Sequence, residues 1–250
     1  MDSTRSAALV GVAGGVGITR LAVETGALLA AVGRDVLVLD AAYATQGLST
    51  YVDARLDPDV TTLASDPSLA LADACHAIET PGDGALSVCP AHAPFARTAA
   101  ASTAEAGERL GERLVAATER FDYVLADVPP VTTNPAVGVV TAADAVLAVT
   151  TGDGRGADAL SRERGRLADV GTRLDAVVAN RAGEDALADA DVVVPDASLG
   201  PAADAPAVDP ADPDAFTRAV ASLVDVAFDL DVGLDEAPRT LADGLRRRLP

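Results

Sequence analysis

The chain has 250 residues, 49% of them hydrophobic but only 3% aromatic and none of them Trp, so its core has to be built from Ala, Val and Leu. This length suits one α/β domain around a single sheet, and the apolar content excludes a disordered chain, a collagen-like repeat and a small disulfide scaffold. With 19 basic against 38 acidic residues the net charge is −19, which excludes a general nucleic-acid binder, because counterion release needs a basic face.

Ala7 to Val12 is an apolar run that predicts a first strand. A glycine-rich loop follows, and Ile18, Leu21, Ala22, Thr25, Leu28, Leu29 and Val32 then recur at helical spacing up to a stop at Gly33. Further strands are predicted at Asp35 to Asp40, Ala85 to Cys89, Phe121 to Asp127, Ala145 to Thr150 and Leu174 to Ala179, with a seventh at Asp191 to Val194. Short aliphatic runs bounded by turns suit a buried parallel sheet. Between them, Ser102 and Glu105 read as a capping box ahead of Leu110, Leu114 and Val115, and Leu160, Leu167 and Val170 precede a stop at Gly171. Cys75 and His76 fall on a predicted helix. Asp212 and Pro213 read as N-cap and first position of a helix carrying Phe216, Val220, Leu223 and Phe228 on one face. Alternating strands and helices imply right-handed crossovers, hence an α/β fold: a doubly wound, mostly parallel sheet of about seven strands with helices on both faces. The expected organisation is one domain over residues 1–229 and a tail over 230–250.

The uncharged stretch from Val128 to Ala143 is 16 residues long and carries Pro129, Pro130 and Pro135, so it is too short and too broken to span a bilayer. Ser6 to Thr19 is also uncharged, but Gly11, Gly14, Gly15 and Gly17 interrupt it, which suits strand and loop better than a signal peptide. A cytoplasmic location is expected. All 19 basic residues are Arg. Acidity without Lys resembles the composition of halophilic proteins, whose carboxylate surfaces stay hydrated in molar salt while self-repulsion is screened over roughly 3 Å.

Residues Gly11 to Arg20 read GVAGGVGITR, after a strand and opening a helix, which is the context a phosphate-cradling loop requires. The segment resembles the deviant Walker A motif, KGGVGKTT, of the ParA and MinD family of ATPases, with Ala13, Gly14, Gly15, Val16, Gly17, Ile18, Thr19 and Arg20 on its eight positions. Val36 to Asp40 resembles the strand that ends in the family's Asp-x-Asp motif, and FDYVLADVPP (Phe121 to Pro130) resembles its Walker B segment. AADAVLAVT (Ala142 to Thr150) and VVANR (Val177 to Arg181) resemble the two strands that follow. The resemblance spans Ala7 to Asp229 and implies the P-loop NTPase fold. It implies a nucleotide site at Ala13 to Arg20 with Asn180 and Arg181, and Mg²⁺ ligands at Thr19, Asp40 and Asp127, so that Mg-ATP or Mg-ADP is the cofactor to expect if any binds.

Three positions depart from that pattern. Ile18 stands where the family's Lys neutralises the β and γ phosphates. Ala13 stands where its signature Lys reaches across a sandwich dimer, and Ala42 where the second Asp would orient the attacking water. Arg20 is the one cation the sequence places near the loop. The resemblance with these departures leaves three readings open. The first is a degenerate family member that acts as a regulatory or scaffolding module for a protein partner, either an active relative or itself, with weak or absent nucleotide binding. The second is a slow ATP-dependent positioning or partitioning switch, and the third is a structural domain that never meets nucleotide.

Cys75, His76, Cys89 and His92 are all the Cys and His of the chain and cluster within one stretch, but no paired C-x-x-C spacing supports zinc, and reduced buried thiols are expected. At the C-terminus, Leu241, Leu245 and Leu249 recur four apart with Arg246, Arg247 and Arg248 interleaved. This predicts a short basic amphipathic helix that docks on the acidic body or touches a membrane surface.

Overall fold

The structure, a computed structural model, describes residues 4–183 and 187–234. Its strands are β1 (Ser6–Gly11), β2 (Asp35–Asp40), β3 (His76–Ile78), β4 (Ala85–Cys89), β5 (Tyr123–Val128), β6 (Ala145–Thr151), β7 (Ala176–Asn180) and β8 (Val192–Val194). Its helices are α1 (Ile18–Ala31), α2 (Val60–Ser65), α3 (Phe95–Ala100), α4 (Ala104–Ala117), α5 (Asn134–Ala142), α6 (Gly154–Asp169) and α7 (Ala215–Phe228). All eight strands join one sheet in the order β3-β4-β2-β5-β1-β6-β7-β8. Every pairing is parallel except β3 with β4.

The continuous burial of β1 and β7 along their whole length explains why they read as unbroken aliphatic runs: helices cover the sheet on both sides. Leu9, Val36, Val38 and Leu147 point to the face packed by Leu21, Leu28 and Leu29 of α1 and by Val220, Leu223 and Phe228 of α7. Ala8, Leu37, Leu39 and Val124 point to the other face, against Leu63 of α2, Leu110 and Leu114 of α4, and Val139 of α5. The core is built from Ala, Val and Leu, as the composition requires. Small residues let α4 and α5 pack closely, since a Cβ on Gly138 would overlap the carbonyl oxygen of Gly107. Gly33 (φ 82°) and Gly171 (φ 77°) end α1 and α6 in the left-handed conformation that a side chain disfavours.

The expected doubly wound sheet is therefore present, with one strand more than the pattern predicted. Three local readings are corrected. Cys75 and His76 do not lie on a helix: a single 3-10 turn, Leu71–Ala74, ends at Cys75 and His76 opens the edge strand β3. The cap of α4 is Thr103, whose hydroxyl accepts from the Ala106 N–H at 3.2 Å, while the Ser102 hydroxyl donates back to Thr98. The cap of α7 is Asp214, which accepts from the Thr217 N–H at 2.7 Å, so Asp212 and Pro213 precede the helix. The leucine and arginine pattern from Leu241 to Leu249 lies outside the described residues. Among the described residues no helix is long and apolar enough to cross a membrane.

Candidate functional site

The C-terminal ends of β1, β2 and β5 meet beside the point where the chain, having crossed one way to β2, crosses the other way to β6. Open α/β sheets gather their ligands at such a place. Here β1 delivers the loop Val12 to Gly17 into the N-terminus of α1, β2 delivers Asp40 and β5 delivers Asp127.

Gly15 (φ 78°) and Gly17 (φ 88°) take left-handed conformations, and a Cβ at Gly17 would sit 2.6 Å from the Asn180 amide nitrogen. Gly17 therefore has to be glycine for two reasons, backbone conformation and space. Asn180, buried at the end of β7, donates to the Val16 carbonyl at 2.8 Å and so pins the loop from beneath. Ala13, Gly14 and Gly15 form an exposed crest, with open space around the two glycines.

The position of Ile18 decides the character of the loop. Its side chain lies against Gly11, where a Cβ would meet two Ile18 carbons at 3.1 Å, and it packs on the same core cluster as α1 and α7. An apolar group thus occupies the start of the helix where a phosphate-binding loop carries an ammonium. Aligning G-x-x-x-x-G-K-[ST] on Gly17 and Thr19 shows a further departure that sequence reading missed: Val12 replaces the first glycine. Val12 is buried against Ala148, Leu160 and Val177, and its N–H donates to the Val149 carbonyl at 3.0 Å. The first turn of the loop is fastened to β6 by packing as well as by the backbone.

Arg20, expected near the loop as its cation, turns away. Its Nε donates to Glu24 Oε1 at 2.5 Å and its Nη1 to the Gly200 carbonyl at 3.0 Å. Glu24 is fully buried and also accepts from the N–H groups of Ala207 and Val208, so the pair ties α1 to the loop ahead of α7. The cation over the loop is Arg181, held at φ 53°, whose Nη1 lies 3.4 Å from the Gly15 carbonyl. A cleft of about 440 Å³ opens alongside, lined by Arg20, Tyr51, Asn180, Pro195, Leu199 and Phe216. A larger hollow of about 770 Å³ between α4 and α5 shares no residue with the loop.

Asp40 and Asp127 face one another in register on β2 and β5, both fully buried. Asp40 is satisfied: its oxygens accept from the Ala42 N–H at 2.7 Å and the Ala91 N–H at 3.1 Å. Burial, with the charge of Asp127 adding, pushes its pKa up to about 8. Asp127 is pushed up to about 6 by burial, and neither of its oxygens has a hydrogen-bond partner of ordinary geometry. The nearby Thr19 hydroxyl offsets that rise only in part. Thr19 is covered on its outer side by the segment that follows β2, since a Cβ on Gly47 would lie 3.1 Å from its hydroxyl oxygen. Ala42 presents only backbone here: its N–H goes to Asp40 and its carbonyl accepts from Thr45 and Gln46. Gln46 in turn exchanges two hydrogen bonds with Ala93, so the segments after β2 and β4 are clamped together.

A buried carboxylate with both oxygens orphaned is costly unless a cation or donor meets it. Asp127 beside the Thr19 hydroxyl fits a hard divalent ion, which takes few protein ligands and completes its shell with water and phosphate oxygens. Asp40 takes one backbone N–H on each oxygen, which shapes the turn after β2 and leaves each oxygen a further lone pair toward Asp127 and the ion site.

A family model described as AAA domain matches residues 4–162. No curated protein matches this chain in sequence. Among solved structures, the cell division ATPase MinD of Pyrococcus furiosus is similar with a TM-score of 0.71 at 18% identity, over 89% of this chain and 98% of its own. The septum site-determining protein MinD of Pyrococcus horikoshii, complexed with Mg-ADP, has a TM-score of 0.64 at 18% identity, over 98% of this chain and all of its own. A ParA family ATPase of Chlorobium tepidum has a TM-score of 0.61 at 19% identity, over 72% and 75% of the two chains. At these identities the structural likeness speaks for the fold. The family model covers well over half of the residues, and the chain belongs to that AAA domain family, with the fold of the MinD and ParA structures.

Proposed function

We propose that this protein is a degenerate ParA/MinD-like module that holds a protein partner, either an active relative or a second copy of itself, with weak or absent Mg-nucleotide binding and no hydrolysis. The observation that carries this reading is Ile18, folded against Gly11 and the core at the head of α1. A charge-assisted hydrogen bond to phosphate is worth about 1.5 to 3 kcal/mol, so its absence weakens binding roughly ten- to two-hundredfold. Ala42 removes the carboxylate that would orient a water, and Ala13 leaves the loop crest without a charge to reach across an interface.

What is kept supports residual occupancy by Mg-ATP or Mg-ADP. The N–H groups of Gly14 to Gly17 at a helix N-terminus favour an anion, and Thr19 and Asp127 suit a Mg²⁺ ion, which when bound would neutralise charge on Asp127 and on phosphate oxygens. Asn180 and Arg181 hold the loop in shape, and Asp40 holds the turn that follows β2. One observation favours a second reading, a slow ATP-dependent positioning switch: the Arg181 guanidinium beside Gly15 and Gly17 is a cation in reach of the cradle.

Calorimetric titration with Mg-ATP in KCl of about 1 M, alongside phosphate release, separates the two. The degenerate reading expects weak or undetectable heat and no turnover. Steady phosphate release that vanishes in Asp127→Ala would replace it with the switch.

A further inference from the structure

We propose that Cys75 and Cys89 form a modification site, a thiol pair that hydroperoxides convert into an intramolecular disulfide. The fold holds the two residues together although they stand far apart in the sequence pattern. β3 runs antiparallel to β4 with His76 opposite Val88 and Ile78 opposite Leu86, so the next step along the ladder sets Cys75 opposite Cys89. Residues opposite one another in such a pair lie about 4.5–5.5 Å apart at Cα and share a face of the sheet. That separation falls within the range of about 4.4–6.8 Å that a disulfide accepts.

Burial confirms the shared face. Cys89 belongs to the core cluster beneath α2 and α4, and Cys75 packs on that same cluster, whereas Val88 belongs to the cluster on the opposite face. The two thiols interact directly, each shifting the acidity of the other. They are also the only two cysteines in the chain, so an intrachain disulfide has one possible connectivity. Among the described residues no group of three metal-ligating side chains gathers, at this pair or elsewhere.

The two sulfurs are unequal, and this sets the order of events. Cys75 is half-buried, and its interaction with Cys89, helped by Arg120, draws its thiol below the ordinary range. Cys89 is fully buried, and that same interaction together with burial pushes it well above. The Cys75 thiolate attacks the peroxide oxygen, giving a sulfenic acid and hydroxide. The Cys89 sulfur then displaces the sulfenic oxygen, and the thiol proton leaves with it as water. In total two thiols and one hydrogen peroxide give one disulfide and two waters.

The modification lands close to the carboxylate pair. Cys89 is followed by Pro90, Ala91 and His92, and the Ala91 N–H donates to Asp40 at 3.1 Å while the His92 N–H donates to Asp59 at 2.7 Å. A disulfide would fasten the edge strand β3 to the end of β4 two residues before the first of those bonds.

The test treats the full-length protein, folded in concentrated KCl, with hydrogen peroxide, then alkylates it and maps its peptides by mass spectrometry without reduction. The expected product is a peptide joining Cys75 to Cys89, two hydrogens lighter than its parts, reversed by dithiothreitol and monomeric on a non-reducing gel. In Cys89→Ser, Cys75 should run on to sulfinic acid, and in Cys75→Ser oxidation of Cys89 should slow roughly tenfold or more. Should either variant fail to fold, the wild-type map alone decides. Wild-type protein that shows sulfinic acid at Cys75 beside a free Cys89, a disulfide between two chains, or no oxidation at all would overturn the proposal.

Discussion

Asp40 and Asp127 stand directly opposite one another on adjacent parallel strands, fully buried, yet only Asp40 has hydrogen-bond donors. Burial raises both pKa values, to about 8 for Asp40, where the charge of Asp127 adds to the rise, and to about 6 for Asp127. Both lie above the ordinary carboxylate value, so the folded state holds protons that the unfolded chain has released.

The sign of the pH dependence follows. A raised carboxylate contributes stability that is present below its unfolded pKa and is lost as pH rises through the folded pKa, here through about 6 for Asp127 and about 8 for Asp40. The thermal midpoint in concentrated KCl should therefore fall between about pH 5 and pH 8, and Asp127→Asn should flatten that fall by removing one of the two buried titrating groups and its charge beside Asp40. Added Mg²⁺ should restore part of the wild-type midpoint at the alkaline end and none in the variant. A wild-type midpoint that climbs over the same range, or an equal slope in Asp127→Asn, would contradict the placement of these two groups.

Glu24 is another buried acidic side chain with a specific load. It accepts from Arg20, Ala207 and Val208, and its side chain has no exposure while that of Arg20 retains 13%. Removing one partner of a buried pair leaves the other uncompensated, so Glu24→Ala should cost about 3 kcal/mol or more. Glu24→Gln, which keeps an acceptor for the two backbone N–H groups, should cost less. Denaturant unfolding of the three proteins in the same salt measures this, and identical costs for Ala and Gln would mean that the loop ahead of α7 does not depend on Glu24.

The parts of this fold that could be read from sequence are those where burial on both faces leaves an unbroken aliphatic run, as in Asp35 to Asp40 and Tyr123 to Val128. The edge strand His76–Ile78 escaped because three half-exposed residues carry no such signal. Before α7 the sequence points to Asp212 as the cap, and only the folded chain shows that Asp214 reaches the Thr217 N–H. The cradle was legible in its glycines, whose spacing is a backbone requirement. The destination of each cation was not, because Arg20 is captured by a residue one helical turn on and Arg181 reaches the loop only through the pairing of β6 with β7. The Arg20 to Glu24 spacing was the one available signal of that capture.

Restoring the missing charge at the head of α1 tests the cradle itself. Ile18→Lys should strengthen Mg-ATP binding by roughly tenfold or more, because one charge-assisted hydrogen bond returns to a loop whose backbone is already placed. Hydrolysis should stay at background, because Ala42 still offers no side chain to place a water. Calorimetry and phosphate release on wild type, Ile18→Lys and Ile18→Lys with Ala42→Asp separate the two effects, with turnover expected only in the double variant. Turnover in the single variant would show that another group places the water.

The last prediction concerns salt. The chain carries 38 acidic residues against 19 Arg, and several of those Arg are committed to pairs, as with Arg20 to Glu24, Arg97 to Asp57 and Arg166 to Glu163. The remaining carboxylates repel one another over a distance that the solvent sets, roughly 30 Å at 0.01 M salt and roughly 3 Å at 1 M. An aliphatic core with few aromatic anchors has little large-area burial in reserve against that repulsion. The unfolding midpoint should accordingly rise steadily with KCl, and far-UV circular dichroism should report loosening in the low-millimolar range. KCl and a neutral osmolyte at matched water activity distinguish screening from general exclusion, since only the salt shortens the reach of the charges. Equal stabilisation by the osmolyte, or a spectrum and midpoint indifferent to KCl, would show that the acidic surface is not what limits the stability of this fold.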